Sequence, residues 1–127
     1  MQRQVSAQVS AAPNFATSLQ AVHAFMVAQD ATSAPARLTR LKRDLRDMKS
    51  VLAWSPACGR PARFKRPISA QASLRLAAVQ QMAQSAGLPE LREYVIGSHL
   101  VLYAHSHTEV VLLSLKHYRQ LIYNLLQ

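Results

Sequence analysis

The run Leu91-Arg92-Glu93-Tyr94-Val95-Ile96-Gly97-Ser98-His99-Leu100-Val101-Leu102-Tyr103-Ala104 decides the fold. Two short β-rich segments flank Gly97-Ser98, a two-residue hairpin signal. A looser turn, His105-Ser106-His107-Thr108, leads to a third such segment, Val110-Val111-Leu112-Leu113-Ser114-Leu115. Strands this close in the chain pair as an antiparallel meander, since parallel pairing needs a long crossover. The middle run is apolar throughout, which predicts a central strand covered on both faces.

Upstream, the period changes from two to about 3.6. Phe15, Leu19, Val22 and Met26, with Phe25 beside them, form the stripe of an amphipathic helix ending near Gln29-Asp30. Asn14 or Ser18 is the expected cap. A second helix follows Thr32-Ser33, with Pro35 in its first turn, where a missing amide costs nothing. Leu38, Leu41, Leu45, Met48 and Leu52 fall on one side, and Ser55-Pro56 stops it. Ser69 can cap a third, alanine-rich helix running to about Ser85, with Gly87 as its stop. The opening residues alternate, Val5, Ala7 and Val9 against Gln4, Ser6, Gln8 and Ser10, which predicts a half-buried strand. Lys116 to Gln127 carries Leu121, Ile122, Leu125 and Leu126, suiting a short closing helix.

The expected architecture is therefore α+β. An N-terminal strand and two antiparallel helices pack on an antiparallel sheet of three to four strands, with an extra middle helix and a short C-terminal helix. The 127 residues suit a single domain spanning 1–127.

The charge is lopsided. Ten bases lie between Arg37 and Arg66, namely Arg37, Arg40, Lys42, Arg43, Arg46, Lys49, Arg60, Arg63, Lys65 and Arg66. Only Asp44 and Asp47 oppose them, so this stretch carries +8 of the net +9. Such a patch concentrates polyanions, with binding that weakens steeply in salt. Arg37, Arg40, Arg43, Arg46 and Lys49 recur every third residue around the exposed side of helix two. Half of the chain is apolar, which argues against disorder, and its one cysteine excludes a disulfide framework. No apolar run approaches the roughly 18 residues of a membrane span. The start lacks a signal-peptide pattern, so the expected setting is a reducing cytoplasm without membrane attachment.

No Gly-rich phosphate loop, His-Glu-x-x-His or Gly-x-Ser-x-Gly is present. His105 and His107 stand two apart with no further ligand in view, so neither a metal nor another cofactor is expected. Six carboxylates, three of them on the first two helices, make a glycosidase-like acid pair improbable. What remains is Arg92 on a strand between apolar neighbours, the run Lys116-His117-Tyr118-Arg119, and Tyr123 one helical turn further on. A strand arginine in such surroundings needs an anionic partner. Glu90, Glu93 or Glu109 could supply it, or a phosphate could. Lys, Arg, His and Tyr together could bind an RNA backbone, deprotonate a 2′-hydroxyl and protonate a leaving oxygen.

Several segments resemble the RelE/ParE-type toxins of bacterial type II toxin–antitoxin pairs. They are Phe15-Ala16-Thr17-Ser18-Leu19-Gln20-Ala21-Val22, Ser55-Pro56-Ala57-Cys58-Gly59-Arg60-Pro61, Leu91 to Gly97, Leu100-Val101-Leu102-Tyr103, and Leu113 to Leu121. Their order and spacing cover nearly the whole chain. The resemblance implies a growth-inhibiting, plasmid-stabilising toxin neutralised by a cognate antitoxin protein. It acts either as a metal-independent, ribosome-dependent mRNA endonuclease or as a non-enzymatic poison of DNA gyrase. Arg92, His117 and Tyr123 match positions that are catalytic in the nucleases. Arg40, Arg43, Arg46, Arg63, Lys65, Arg66, Lys116 and Arg119 are the expected contacts to nucleic acid or target. Leu100 stands where the family often has an arginine that helps to stabilise transition-state charge. A basic nucleic-acid-binding module without toxicity would explain the charge but not the order of the motifs.

Overall fold

A computed structural model describes residues 6–62 and 70–117. The fold is α+β, with three helices and a five-stranded mixed sheet. In chain order the elements are β1 (Gln8–Ala11), α1 (Pro13–Gln29), α2 (Ala34–Trp54), a single 3₁₀ turn Pro56–Cys58, β2 (Arg60–Pro61), α3 (Ala70–Ser85), β3 (Glu90–Ile96), β4 (His99–His105) and β5 (Glu109–His117). The sheet order is β1-β5-β4-β3-β2.

The meander forms as expected, with β4 at the centre. Gly97 turns the hairpin at φ +53°, where a residue with a Cβ would be strained. Two additions make the sheet larger than the sequence suggests. β1 pairs parallel to β5, Gln8 opposite Glu109, so the first strand joins the edge of the last. The two-residue β2 pairs antiparallel to β3, with Arg60 opposite Glu93 and Pro61 opposite Arg92. Neither pairing leaves a local signal, because one spans most of the chain and the other is too short to show a period.

Register assigns the faces. Opposite residues of an antiparallel pair share a side. Arg92, Tyr94 and Ile96 of β3 therefore lie on the same side as His99, Val101, Tyr103 and His105 of β4. A bulge near Leu102/Tyr103 shifts the register of β5. It lets Val110, Leu112, Leu115 and His117 all join that side despite their uneven spacing. Against this face pack Phe15, Val22 and Met26 of α1 and Leu41, Leu45, Met48 and Leu52 of α2, the stripes read from the sequence. Each such side chain contributes roughly 1.5–3 kcal/mol on full burial. α3 covers part of the other face through Ala83, with Leu88 beyond its end, against Ala104, Leu91, Val111 and Leu113.

The helix ends depart from expectation. Ala12, not Asn14 or Ser18, caps α1, and it has no side-chain cap bond. Asn14 instead donates from Nδ2 to the Leu113 carbonyl at 3.3 Å. Ser18 is fully buried and bridges α1 to the sheet. Its hydroxyl donates to Phe15 O at 2.8 Å and accepts the Leu115 N–H at 3.0 Å. Ser33 is the N-cap of α2 without a side-chain cap bond, while Asp30 Oδ1 accepts the Thr32 N–H at 3.0 Å. α3 starts at Ala70 and closes before Gly87 at φ +79°. Of the Thr32-Ser33 pair that precedes α2, Ser33 takes the N-cap position, and the expected cap Ser69 lies outside the described residues. β5 runs on through Lys116 and His117, which the sequence had placed in a closing helix. The rest of that helix, residues 118–127, falls outside the described residues.

Candidate nucleic-acid interface and the Arg92 corner

Two regions carry the polar chemistry. The first is the solvent side of α2. Because Leu41, Leu45, Met48 and Leu52 turn inward, Arg40, Lys42, Arg43, Arg46 and Lys49 stay exposed. Ala36, Thr39, Arg40, Lys42, Arg43 and Arg46 line a shallow depression there. Arg43 meets Asp44 only at 3.8 Å on an open surface, a contact of little energetic weight. Most of the cationic row is therefore available to an outside anion. Arg37 is half-buried and donates to Gln29 Oε1 at 2.9 Å.

The second region lies where α2 ends and the chain turns through Pro56–Cys58 into β2. Tyr103, fully buried in the sheet, fastens this turn. Its hydroxyl donates to Pro56 O at 2.7 Å and accepts the Gly59 N–H at 3.0 Å. Burial, which disfavours the phenolate, pushes the Tyr103 pKa up to about 12, partly offset by the Gly59 bond. Gly59 leaves no room for a side chain, since a Cβ would sit 2.6 Å from both Glu93 O and the Tyr103 hydroxyl.

Arg92 points into the same corner. Its NH1 donates to Gly59 O and its Nε to His105 Nε2, both at 2.9 Å. An arginine only donates, so His105 Nε2 must be the acceptor and its Nδ1 carries the proton. Nδ1 lies 2.9 Å from Ser106 O, which receives that proton. Among the described residues Arg92 has no carboxylate within ion-pairing distance, so the sequence-expected partners Glu90, Glu93 and Glu109 are replaced by a neutral imidazole and a carbonyl. Glu93 points to the opposite face and pairs with Arg60, Nε to Oε1 at 3.2 Å. Arg60 thereby gives part of its charge to a buried carboxylate rather than to the basic patch.

His117 is elsewhere. It is buried at the other end of the sheet, opposite His99. Its ring sits 5.1 Å from Phe25 and 5.2 Å from His99, the latter edge-on. His99 Nε2 is buried without a hydrogen-bond partner. Burial, followed by the nearby His117 and Arg37, lowers the His99 pKa to about 4. Arg92 pairs with Tyr103 and His117 with His99, so the two are separated by two strand spacings and four residues along β4. That is roughly 16 Å between Cα positions. They share a face but not a site.

Of the other expected contacts, Arg40, Arg43 and Arg46 do lie together on α2. Lys116 is buried on the opposite side of the sheet, facing Leu100, away from that row. Arg63, Lys65, Arg66, Arg119 and Tyr123 lie outside the described residues. The roles of Tyr103 and His105 were not evident from the sequence. Only the position of Tyr103 at the end of an apolar run, where a hydroxyl must find a partner, hinted at one.

The sequence matches no protein-family model, and no curated protein resembles it closely enough to count as a relative. Among the described residues no helix is long and apolar enough to cross a membrane.

Proposed function

We propose that this protein is the growth-inhibiting toxin of a type II toxin–antitoxin pair, of the RelE/ParE kind, acting in the cytoplasm on the ribosome and its mRNA. One observation carries the reading. A strand, two antiparallel helices and a three-strand meander follow one another in the expected order, with Arg40, Arg43 and Arg46 turned outward from α2. A row of guanidinium groups on a rigid helix suits the phosphates of ribosomal RNA and holds them by charge-assisted bonds. In this reading an acidic antitoxin neutralises the protein by covering the same cations, and any cleavage draws on Arg92 without His117, which lies outside its reach. The charge match would speed that association more than it would tighten it.

The roughly 16 Å between Arg92 and His117, together with Leu100 in place of an arginine, favours a second reading: a non-enzymatic gyrase poison of the same fold. Pulse labelling after induction of the chain alone separates the two. Translation falling before DNA synthesis is expected, and the reverse order selects the gyrase reading. Unimpeded growth with verified soluble protein removes the toxin reading altogether.

A further inference from the structure

Arg60 and Arg92 are held in contrasting ways. The exposed Arg60 meets the buried Glu93 carboxylate, which offsets its charge. Arg92 is half-buried, yet among the described residues no carboxylate pairs with it. Glu90 stands two residues away on the same side of β3, directly opposite His105, and still forms no ion pair with it. Withdrawing a guanidinium from water without a counter-ion is costly, so its charge calls for a partner from outside.

The bonds that Arg92 does make fix its direction without cancelling its charge. Nε is held by His105 Nε2 and one terminal nitrogen by Gly59 O, both uncharged acceptors. His105 is buried, and its ring is oriented in turn because Nδ1 donates to Ser106 O. A guanidinium has five N–H groups, so three remain, including both on the second terminal nitrogen. The charge is felt at the surface. Burial raises the pKa of the exposed Cys58, next to Gly59, while its backbone bond and then the Arg92 charge pull it back down.

A carboxylate in place of His105 would hold the same nitrogen but would compete with any incoming anion. An imidazole holds it and leaves the charge unspent. Phosphate suits such a group, since its oxygens take paired, charge-assisted bonds from a guanidinium. We infer that His105 is the positioning residue of a phosphate site, holding Arg92 by an uncharged acceptor so that one RNA phosphate meets its remaining donors. This rests on the RNA reading above and deepens it, adding a residue that acts through Arg92 and does not itself touch the ligand.

The test uses the full chain and a short single-stranded oligouridylate. His105→Glu separates holding from charge, because Arg92 gains an ion pair while losing its attraction for an anion. Gln81→Glu, at an exposed site on α3, carries the same change in charge and serves as the reference. A folded His105→Glu should bind the RNA roughly ten- to a hundredfold more weakly than that reference. Its logarithmic salt slope should be smaller by about 0.7, the loss of one phosphate. His105→Gln, whose amide oxygen can still accept from Arg92, should bind as the native chain does. Alkylation of Cys58, the one cysteine, reports on the site locally. The RNA should slow it in the native chain and in His105→Gln, but not in His105→Glu.

A folded His105→Glu that binds as tightly as Gln81→Glu overturns the proposal and leaves the RNA reading standing. Cys58 alkylation that RNA leaves unchanged in the native complex does the same. Should His105→Glu not fold, His105→Leu replaces it and must lose the affinity that His105→Gln keeps, compared where both are folded; equal affinity overturns the proposal. If the native chain does not bind the oligomer even at low salt, the RNA reading itself fails and the His105 proposal fails with it.

Discussion

Arg92 and His105 are joined by one hydrogen bond, 2.9 Å from guanidinium Nε to imidazole Nε2, and that bond fixes the histidine as its Nδ1-protonated tautomer. The pair ties β3 to the end of β4, and through Gly59 O it reaches the turn after α2. His105→Phe keeps a ring in a buried place but removes the acceptor. Leaving a guanidinium N–H without its partner should cost about 1–3 kcal/mol, read as a lower urea midpoint at unchanged slope. Full stability in His105→Phe would show that Arg92 finds another acceptor.

The turn behind this pair depends on a hydroxyl. Tyr103→Phe strands both Pro56 O and the Gly59 N–H, so a loss of about 1–3 kcal/mol is expected by thermal or chemical melting. Gly59→Ala should be worse than typical surface substitutions, since its Cβ collides with backbone as well as with Tyr103. Placing Gly59→Ala in the Tyr103→Phe background should recover only part of the loss, because the contact with Glu93 O persists. Simple additivity of the two would contradict the shared geometry.

His99 gives a pH signature. Its folded pKa of about 4 lies below the ordinary 6.5, so between those values the unfolded chain binds the extra proton. Stability should therefore be full above pH 6.5 and fall as pH drops toward 4, by at most about 3 kcal/mol. Equilibrium urea melts across that range should show the fall, and His99→Leu should flatten it. A pH-independent midpoint in the native protein would mean that the buried ring does not titrate as described.

Ser18 illustrates how a residue's role changes between sequence and fold. By spacing it is a late cap for α1; in the fold it supplies the acceptor for a strand N–H inside the core. Ser18→Ala should cost about 1–3 kcal/mol, far more than loss of an exposed serine, because Leu115 N–H is left unpaired. A melting temperature within a degree or so of the native protein would mean that water replaces the hydroxyl.

The arginines of α2 should behave in the opposite manner. Changing Arg40, Arg43 and Arg46 together to Gln should shift stability by no more than about 0.5 kcal/mol per site, since all three are exposed. Affinity for single-stranded RNA should fall, and its logarithmic salt slope should shrink by about 2. An unaltered slope would place the phosphates elsewhere.

The periodic elements were legible because burial imposes a period: Leu41, Leu45, Met48 and Leu52 face the sheet as their spacing requires, and the apolar β4 is central. What escaped reading depends on contacts distant in sequence. Gln8 beside Glu109, Arg60 beside Glu93 and Arg92 beside His105 carry no local trace in either partner. The candidate site was half visible for the same reason. An exposed arginine row follows from the helix period alone, whereas the place of His117 depends on which end of β5 it occupies. The bulge in β5 adds to this, since it sends Leu112 and Leu115 to one face where strict alternation would separate them.

The parallel pairing of Gln8 with Glu109 also governs when the protein can come into being. The first strand of the chain has no place in the sheet until the last described strand has been translated, because β5 is the neighbour it joins. Pairing β1 with β5 closes a loop that holds both long helices and the first two strands of the meander, a contact of high sequence separation and therefore slow to form. The sheet edge that β1 occupies is thereby the last to close, whereas the arginine row of α2 sits on a helix built from local contacts.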